Sequence, residues 1–253
     1  MKSTPSGPST DNTVPTLILS GHRGAGKSSL LIDAISDVTL GHPEWSGAIR
    51  GVVSRGVHND RGYRTGFDAQ LFPSRRIVPL ARVTDLERVY PSMTGDSGVP
   101  PREYTLAASP DPIPSDLETF PLGPFQFFRS AFAAAEAEIL EGFAPLHPDG
   151  SGAPDTAGDL DRSGDPPARL VVIDEIGPLE LHRFDGFHRL LSHLLSTRVA
   201  LVLTVRPDLL ENVMELCRTA PRRRVQTVTI GSDGDGIAIR GIIVTFIEKE
   251  INR

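Results

Sequence analysis

The chain has 253 residues, enough for one substantial α/β core, and its 26 Lys and Arg against 32 Asp and Glu leave a net charge of -6. That balance carries no global footprint for nucleic acid or for an anionic membrane surface, so neither is expected as a partner. Its single cysteine, Cys217, excludes an intramolecular disulfide, and no apolar run approaches the roughly 20 residues that span a bilayer.

Residues 1–13 are rich in Ser, Thr, Pro and Gly and lack the apolar core of a signal peptide, which predicts a disordered tail and a cytoplasmic protein. The remainder, 14–253, is expected to form a single domain. Its first element is the apolar strand at 16–20. Directly after it comes Gly21-His22-Arg23-Gly24-Ala25-Gly26-Lys27-Ser28, followed by Ser29 and a helical pattern through 35. This matches G-x-x-x-x-G-K-[ST] in the order strand, glycine loop and helix, the context in which the pattern has a mechanism. Glycines turn backbone N–H groups toward a triphosphate, and the helix N-terminus adds partial positive charge. Lys27 is then expected to reach the β- and γ-phosphates, with the Ser28 hydroxyl on Mg²⁺. Lysine occurs elsewhere only at Lys2 and Lys249, so Lys27 stands out in an arginine-rich chain.

Two strand-like runs, 48–54 and 63–71, flank a polar turn at 58–62 and predict a hairpin. The stretch 91–121 is crowded with Pro, Ser and Asp and is expected to be irregular, whereas 125–140 reads as a helix with one apolar stripe. Residues 147–167 are nearly all small or polar, which predicts a flexible surface insertion. Order resumes with Leu170-Val171-Val172-Ile173, a continuous apolar run suited to a parallel strand covered on both faces. A helix over 184–195, a strand over 199–205, a helix over 208–218 holding an inert Cys217 thiol, and a strand over 225–230 complete the pattern. Strands alternating with helices predict an α/β, three-layer P-loop fold with a mostly parallel central sheet, a β-hairpin and the insertion.

The strand at 170–173 ends in Asp174-Glu175, placing two carboxylates at the edge of the sheet where open α/β folds bind ligands. Asp174 is expected to join Ser28 on Mg²⁺, and Glu175 to polarise a water for attack on the γ-phosphate. If the strand closed by Thr204 lies between the phosphate-loop strand and the Asp174 strand, Thr204 can hold the attacking water and Arg206 can face the γ-phosphate. The run Arg222-Arg223-Arg224 reads as a solvated face that can also lend an arginine to the transition state. His182, His188 and His193 share no helical face and are expected at the surface.

Three blocks resemble the THEP1-type nucleoside triphosphatases, P-loop proteins with a RecA-like sheet. They are the phosphate loop at 21–28, the hairpin segment at 61–68, and Val172-Ile173-Asp174-Glu175-Ile176-Gly177-Pro178-Leu179-Glu180-Leu181. The resemblance implies Mg²⁺-dependent hydrolysis of ATP, GTP and other nucleoside triphosphates with loose base preference. The chain departs from it in length, through 91–121 and 147–167, and in having Val57-His58 where an arginine is expected after the valine. Two other readings use the same loop: a nucleotide or small-molecule kinase, and a non-catalytic nucleotide-dependent switch.

Overall fold

The computed structural model describes residues 13–84, 118–143, 167–231 and 236–253. The expected tail up to residue 12, the Pro-rich stretch up to 117 and the insertion up to 166 lie outside them.

Chain order runs β1 (Val14–Gly21), α1 (Lys27–Gly41), a 3-10 turn (Pro43–Ala48), β2 (Ile49–His58), β3 (Arg64–Phe72), β4 (Ile77–Val83), β5 (Thr119–Leu122), β6 (Phe125–Phe128) and α2 (Arg129–Leu140). It continues with β7 (Leu170–Ile176), α3 (Pro178–His182), α4 (His188–Ser196), β8 (Ala200–Val205), α5 (Leu210–Thr219), β9 (Arg223–Ile230) and α6 (Gly236–Ile251). The strands form one sheet in the order β5-β6-β4-β3-β2-β7-β8-β1-β9. From β2 to β9 every neighbour is parallel, and from β2 to β5 every neighbour is antiparallel. The hairpin β2–β3 is therefore the joint at which a parallel P-loop half continues into an antiparallel half.

Continuous apolar strands fit this arrangement because their two faces meet different helices. Ile18, Val171, Ile173, Leu201 and Leu203 pack with α2, α4 and α5 through residues such as Phe132, Leu191 and Val213. Leu17, Leu19, Val172 and Val202 face the other way, onto α1 and α6 through Leu31, Ile35, Ile243 and Ile247. Three layers result. Among the described residues no helix is long and apolar enough to cross a membrane.

Three sequence expectations are corrected. Residues 119–121 are strand rather than irregular, because β5 and β6 pair around a turn at Gly123 (φ 60°), and Pro121 sits on an edge strand where a missing N–H is tolerated. Phe125-Gln126-Phe127-Phe128 is strand rather than the start of a helix, since β6 is hydrogen-bonded between β4 and β5, and α2 begins only at Arg129. The helix expected over 184–195 begins only at His188, as α4, because Phe184 (φ 54°) and Gly186 (φ 60°) adopt left-handed backbone, and the separate short helix α3 precedes them. Helix α6 carries isoleucines on several faces and so shows little helical periodicity in the sequence.

The contact between β2 and β7 is close. Gly51 (φ 151°) pairs with Val172, and a Cβ on it would lie 2.2 Å from the Val172 carbonyl oxygen. Gly51→Ala is expected to cost at least about 2 kcal/mol, a fall of roughly 4–8 °C in the melting midpoint for a chain of this size. Calorimetry checks it. An unchanged midpoint would mean that the β2–β7 ladder opens freely at this position.

Candidate active site

Strand β1 ends at Gly21, and the chain turns through His22, Arg23, Gly24, Ala25 and Gly26 into α1. Gly24 (φ 82°) and Gly26 (φ 83°) hold left-handed backbone in open space, so conformation rather than crowding requires glycine there. Lys27, the first residue of α1, is 7% exposed, and its Nζ donates to the carbonyls of Gly21 at 2.6 Å and His22 at 3.0 Å. Desolvation lowers its pKa, and the carboxylates of Glu175 and Asp174 pull in the opposite direction. Ser28 follows, half-buried, while Ser29 is exposed on the first turn of the helix.

The carboxylates face this loop because the sheet order is the one required: β8 lies between β1 and β7. Ile173 pairs with Leu203 and Ile176 with Val205, which leaves Asp174 and Glu175 together opposite Thr204. Two residues against one is a β-bulge, a device that re-aims a side chain at the end of a strand. Thr204 is fully buried and pins the bulge, donating from its hydroxyl to Asp174 Oδ1 at 2.5 Å and accepting the Glu175 N–H at 2.7 Å. Its hydroxyl is thus engaged with the two acidic residues, a different arrangement from the expected hold on a water. Glu175 takes φ 59°, left-handed backbone that costs a non-glycine residue about 1 kcal/mol.

Asp174 is 2% exposed and also accepts from Ser28 Oγ at 2.6 Å and from the Ser54 N–H at 3.0 Å, both at Oδ2. Burial raises its pKa, opposed by these donors and by Lys27. Ser28 Oγ and Asp174 Oδ2 form an oxygen pair able to hold a hard cation. Glu175 reaches solvent through the cleft mouth, yet enough protein surrounds it that desolvation, and then repulsion from Asp174, raises its pKa. Lys27, Arg64 and Arg23 oppose that shift, so the hairpin delivers a cation toward Glu175 through Arg64. Arg206 lines the same cleft as Arg23 and Lys27 and pairs with Asp208 at 3.5 Å.

Other expected positions lie elsewhere. Arg223 pairs with Val14 at the opposite end of β1 from the phosphate loop, a separation of about 23 Å at strand rise. Its guanidinium, far from being part of a solvated face, donates to the carbonyls of Leu194, Leu195, Thr197 and Val199 at the end of α4. Burial pulls its pKa down to about 10. Arg223 therefore serves the fold, while Arg222 and Arg224 on either side of it are exposed. Of the three histidines only His182 is exposed: His188 donates from Nδ1 to the Glu180 carbonyl at 2.9 Å, and His193 edges onto Phe143. Cys217 is buried, and burial pushes its thiol up to about 11.

Two contributors escaped sequence reasoning. Ser54 acts through its backbone N–H, which no side-chain pattern announces. Glu180 is 4% exposed and accepts the N–H groups of Gly177 at 3.0 Å and Phe187 at 3.3 Å, tying the exit of β7 to the start of α4. The Asp-Glu-Ile-Gly-Pro-Leu-Glu spacing was its one available signal.

Thr204→Val removes one donor and one acceptor beneath the bulge and leaves the Glu175 N–H without its partner. It is expected to destabilise by about 1–3 kcal/mol, with Thr204→Ser retaining most of the wild-type stability in urea unfolding. Burial pushes Glu180 up to about 7, opposed by its backbone donors. A raised carboxyl pKa stabilises the fold below the unfolded value and loses that contribution as pH rises through the folded one. Wild type should accordingly lose stability relative to Glu180→Gln between about pH 4.5 and 7, as unfolding midpoints across that window would reveal.

No protein-family model matches the chain, and no curated protein matches it in sequence. Two solved structures match its fold. The solution structure of a human cancer-related nucleoside triphosphatase shares 21% identity at a TM-score of 0.54, covering 93% of this chain and 98% of that one. The crystal structure of THEP1 from the hyperthermophile Aquifex aeolicus shares 16% identity at a TM-score of 0.51, covering 94% of this chain and 99% of that one. The order of strands around the phosphate loop and these two likenesses lead to one conclusion: the chain has the fold of the THEP1-type P-loop nucleoside triphosphatases.

Proposed function

We propose that the protein hydrolyses nucleoside triphosphates to the diphosphate and phosphate in a Mg²⁺-dependent reaction. The observation that carries this reading is the pinned bulge, which sets Glu175 at the mouth of the cleft while its neighbour Asp174 bonds to Ser28 beside the phosphate loop. One of the two fold neighbours is a nucleoside triphosphatase, which supports the same class of chemistry.

The Ser28 hydroxyl and the Asp174 carboxylate are hard oxygen donors 2.6 Å apart, a set that suits Mg²⁺, which takes few protein ligands alongside phosphate oxygens and water. When bound, the ion neutralises phosphate charge. The phosphate-loop backbone cradles the triphosphate, and Lys27 exchanges its hold on the Gly21 and His22 carbonyls for phosphate oxygens. Glu175 orients a water and takes its proton as the oxygen attacks the γ-phosphorus. Its raised pKa makes it a stronger base than an ordinary glutamate, at the cost of needing a higher pH to ionise. Thr204 works through the two acidic residues and is a positioning residue. Arg23, Arg64 and Arg206 supply positive charge around the cleft. Because the named groups all address phosphate, weak discrimination among bases follows.

Phosphate release from ATP, GTP, CTP and UTP with Mg²⁺ tests this reading. Glu175→Gln should keep nucleotide binding and lose turnover by at least about 100-fold, whereas Lys27→Ala should weaken binding and abolish turnover. Wild-type rates in Glu175→Gln would remove Glu175 from the role of base.

A further inference from the structure

Beside the catalytic groups lies a chamber of about 370 Å³. At its charged end are Arg23, Lys27, Asp174, Glu175 and Arg206; beyond them the walls are mostly apolar. The antiparallel half of the sheet builds much of that wall. Phe125 and Phe127 lie two apart on β6 and so project from one face, toward Phe67 of β3 and Phe132 of α2. Their rings form two contacting groups: Phe67 lies 5.0 Å from Phe125, and Phe132 lies 6.2 Å from Phe127 and 4.8 Å from Phe187.

Hydrolysis alone does not call for this space. The chamber is far larger than the single water that the reaction consumes. Its volume falls within the roughly 300–1,000 Å³ of small-molecule sites, which are lined by aromatic and aliphatic groups with a few polar ones placed at one end. The polar end here is the phosphoryl-transfer machinery itself. Among the described residues, the charged one on the wall away from that end is Glu180, whose carboxylate is already engaged by the Gly177 and Phe187 N–H groups. Among the described residues a charged body would therefore meet no free counter-charge deep in the chamber, whereas an uncharged ring would meet faces and edges of phenylalanine.

We propose that this chamber is a phosphoryl-acceptor site for a small, uncharged organic molecule with an aromatic or similarly apolar body and a terminal hydroxyl. The proposal rests on the nucleotide chemistry above and extends it. The hydroxyl oxygen bonds to the γ-phosphorus as the bond from that phosphorus to the β–γ bridging oxygen breaks. The leaving nucleoside diphosphate keeps the electron pair, and the hydroxyl proton passes to the Glu175 carboxylate. The products are a nucleoside diphosphate, a phosphate monoester and a proton. With the chamber free of acceptor, water takes the phosphoryl group instead.

The test incubates the full chain with Mg²⁺, γ-phosphate-labelled ATP and one of three alcohols: benzyl alcohol, phenylethanol or naphthylmethanol. It measures how label divides between the alcohol and water. Wild type should form labelled monoester. Leu122→Trp, which adds bulk at the chamber wall, should lower the ratio of labelled monoester to inorganic phosphate by about tenfold, equivalent to about 1.4 kcal/mol in relative barrier. Should Leu122→Trp fail to fold, Phe125→Trp makes the same test from β6. Label found only as inorganic phosphate with all three alcohols overturns the proposal and leaves the hydrolase reading standing. An equal ratio in wild type and the folded tryptophan variant overturns the assignment of the acceptor to this chamber. ATP bound without label reaching either alcohol or water overturns the hydrolase reading as well.

Discussion

A buried carboxylate organises this molecule. Asp174 has almost no exposed surface, and a bare carboxylate in such a place would carry a heavy desolvation cost. Its oxygens instead accept from α1 through Ser28, from β2 through Ser54 and from β8 through Thr204. Three elements distant in sequence are thereby held to one point at the carboxyl edge of the sheet. The same hydroxyl of Thr204 accepts the Glu175 N–H, so the residue that meets Asp174 also fixes the backbone of its neighbour. Strained backbone at Glu175 persists because the surrounding hydrogen bonds over-determine it.

From that point the two halves of the sheet take different work. The parallel half presents the phosphate loop and the acidic residues at one edge, as open α/β sheets do. The antiparallel half, joined through β2 and β3, adds an aromatic wall and brings Arg64 into the field of Glu175. Glu180 braces the exit from β7, since its carboxylate links the segment after that strand to the start of α4. Arg223 performs the matching task at the far edge, where it gathers carbonyls at the end of α4 and closes β9 against the helix layer. One arginine of a charged run can thus be structural while its neighbours stay exposed.

Much of the site was legible because its signals are local. Gly24, Gly26 and Lys27 can be read together, since backbone conformation and helix start are properties of a few adjacent residues. Asp174 and Glu175 stand out because they close an apolar strand in a chain that carries the glycine-loop pattern upstream. The errors share a different origin. Phe125-Gln126-Phe127-Phe128 has no helical or strand preference strong enough to settle the matter alone, and pairing with β4 and β5 decides it. Pro121 suggests disorder in isolation, yet an edge strand tolerates it. Ser54 contributes a backbone N–H, which every residue but proline possesses, and so carried no signal at all.

The sequence by itself determined the phosphate loop, the succession of apolar strands and helices, the hairpin and the identity of the acidic pair, because these depend on side-chain period and on turn chemistry within short windows. Tertiary structure alone decided that β8 lies between β1 and β7, that Thr204 bonds to both acidic residues, that Arg223 lies a strand length from the glycine loop, and that an aromatic chamber adjoins that loop. The physical reason is that sheet order and register join residues far apart in the chain. Burial then assigns each polar group its partners according to what the assembled core places within hydrogen-bonding distance.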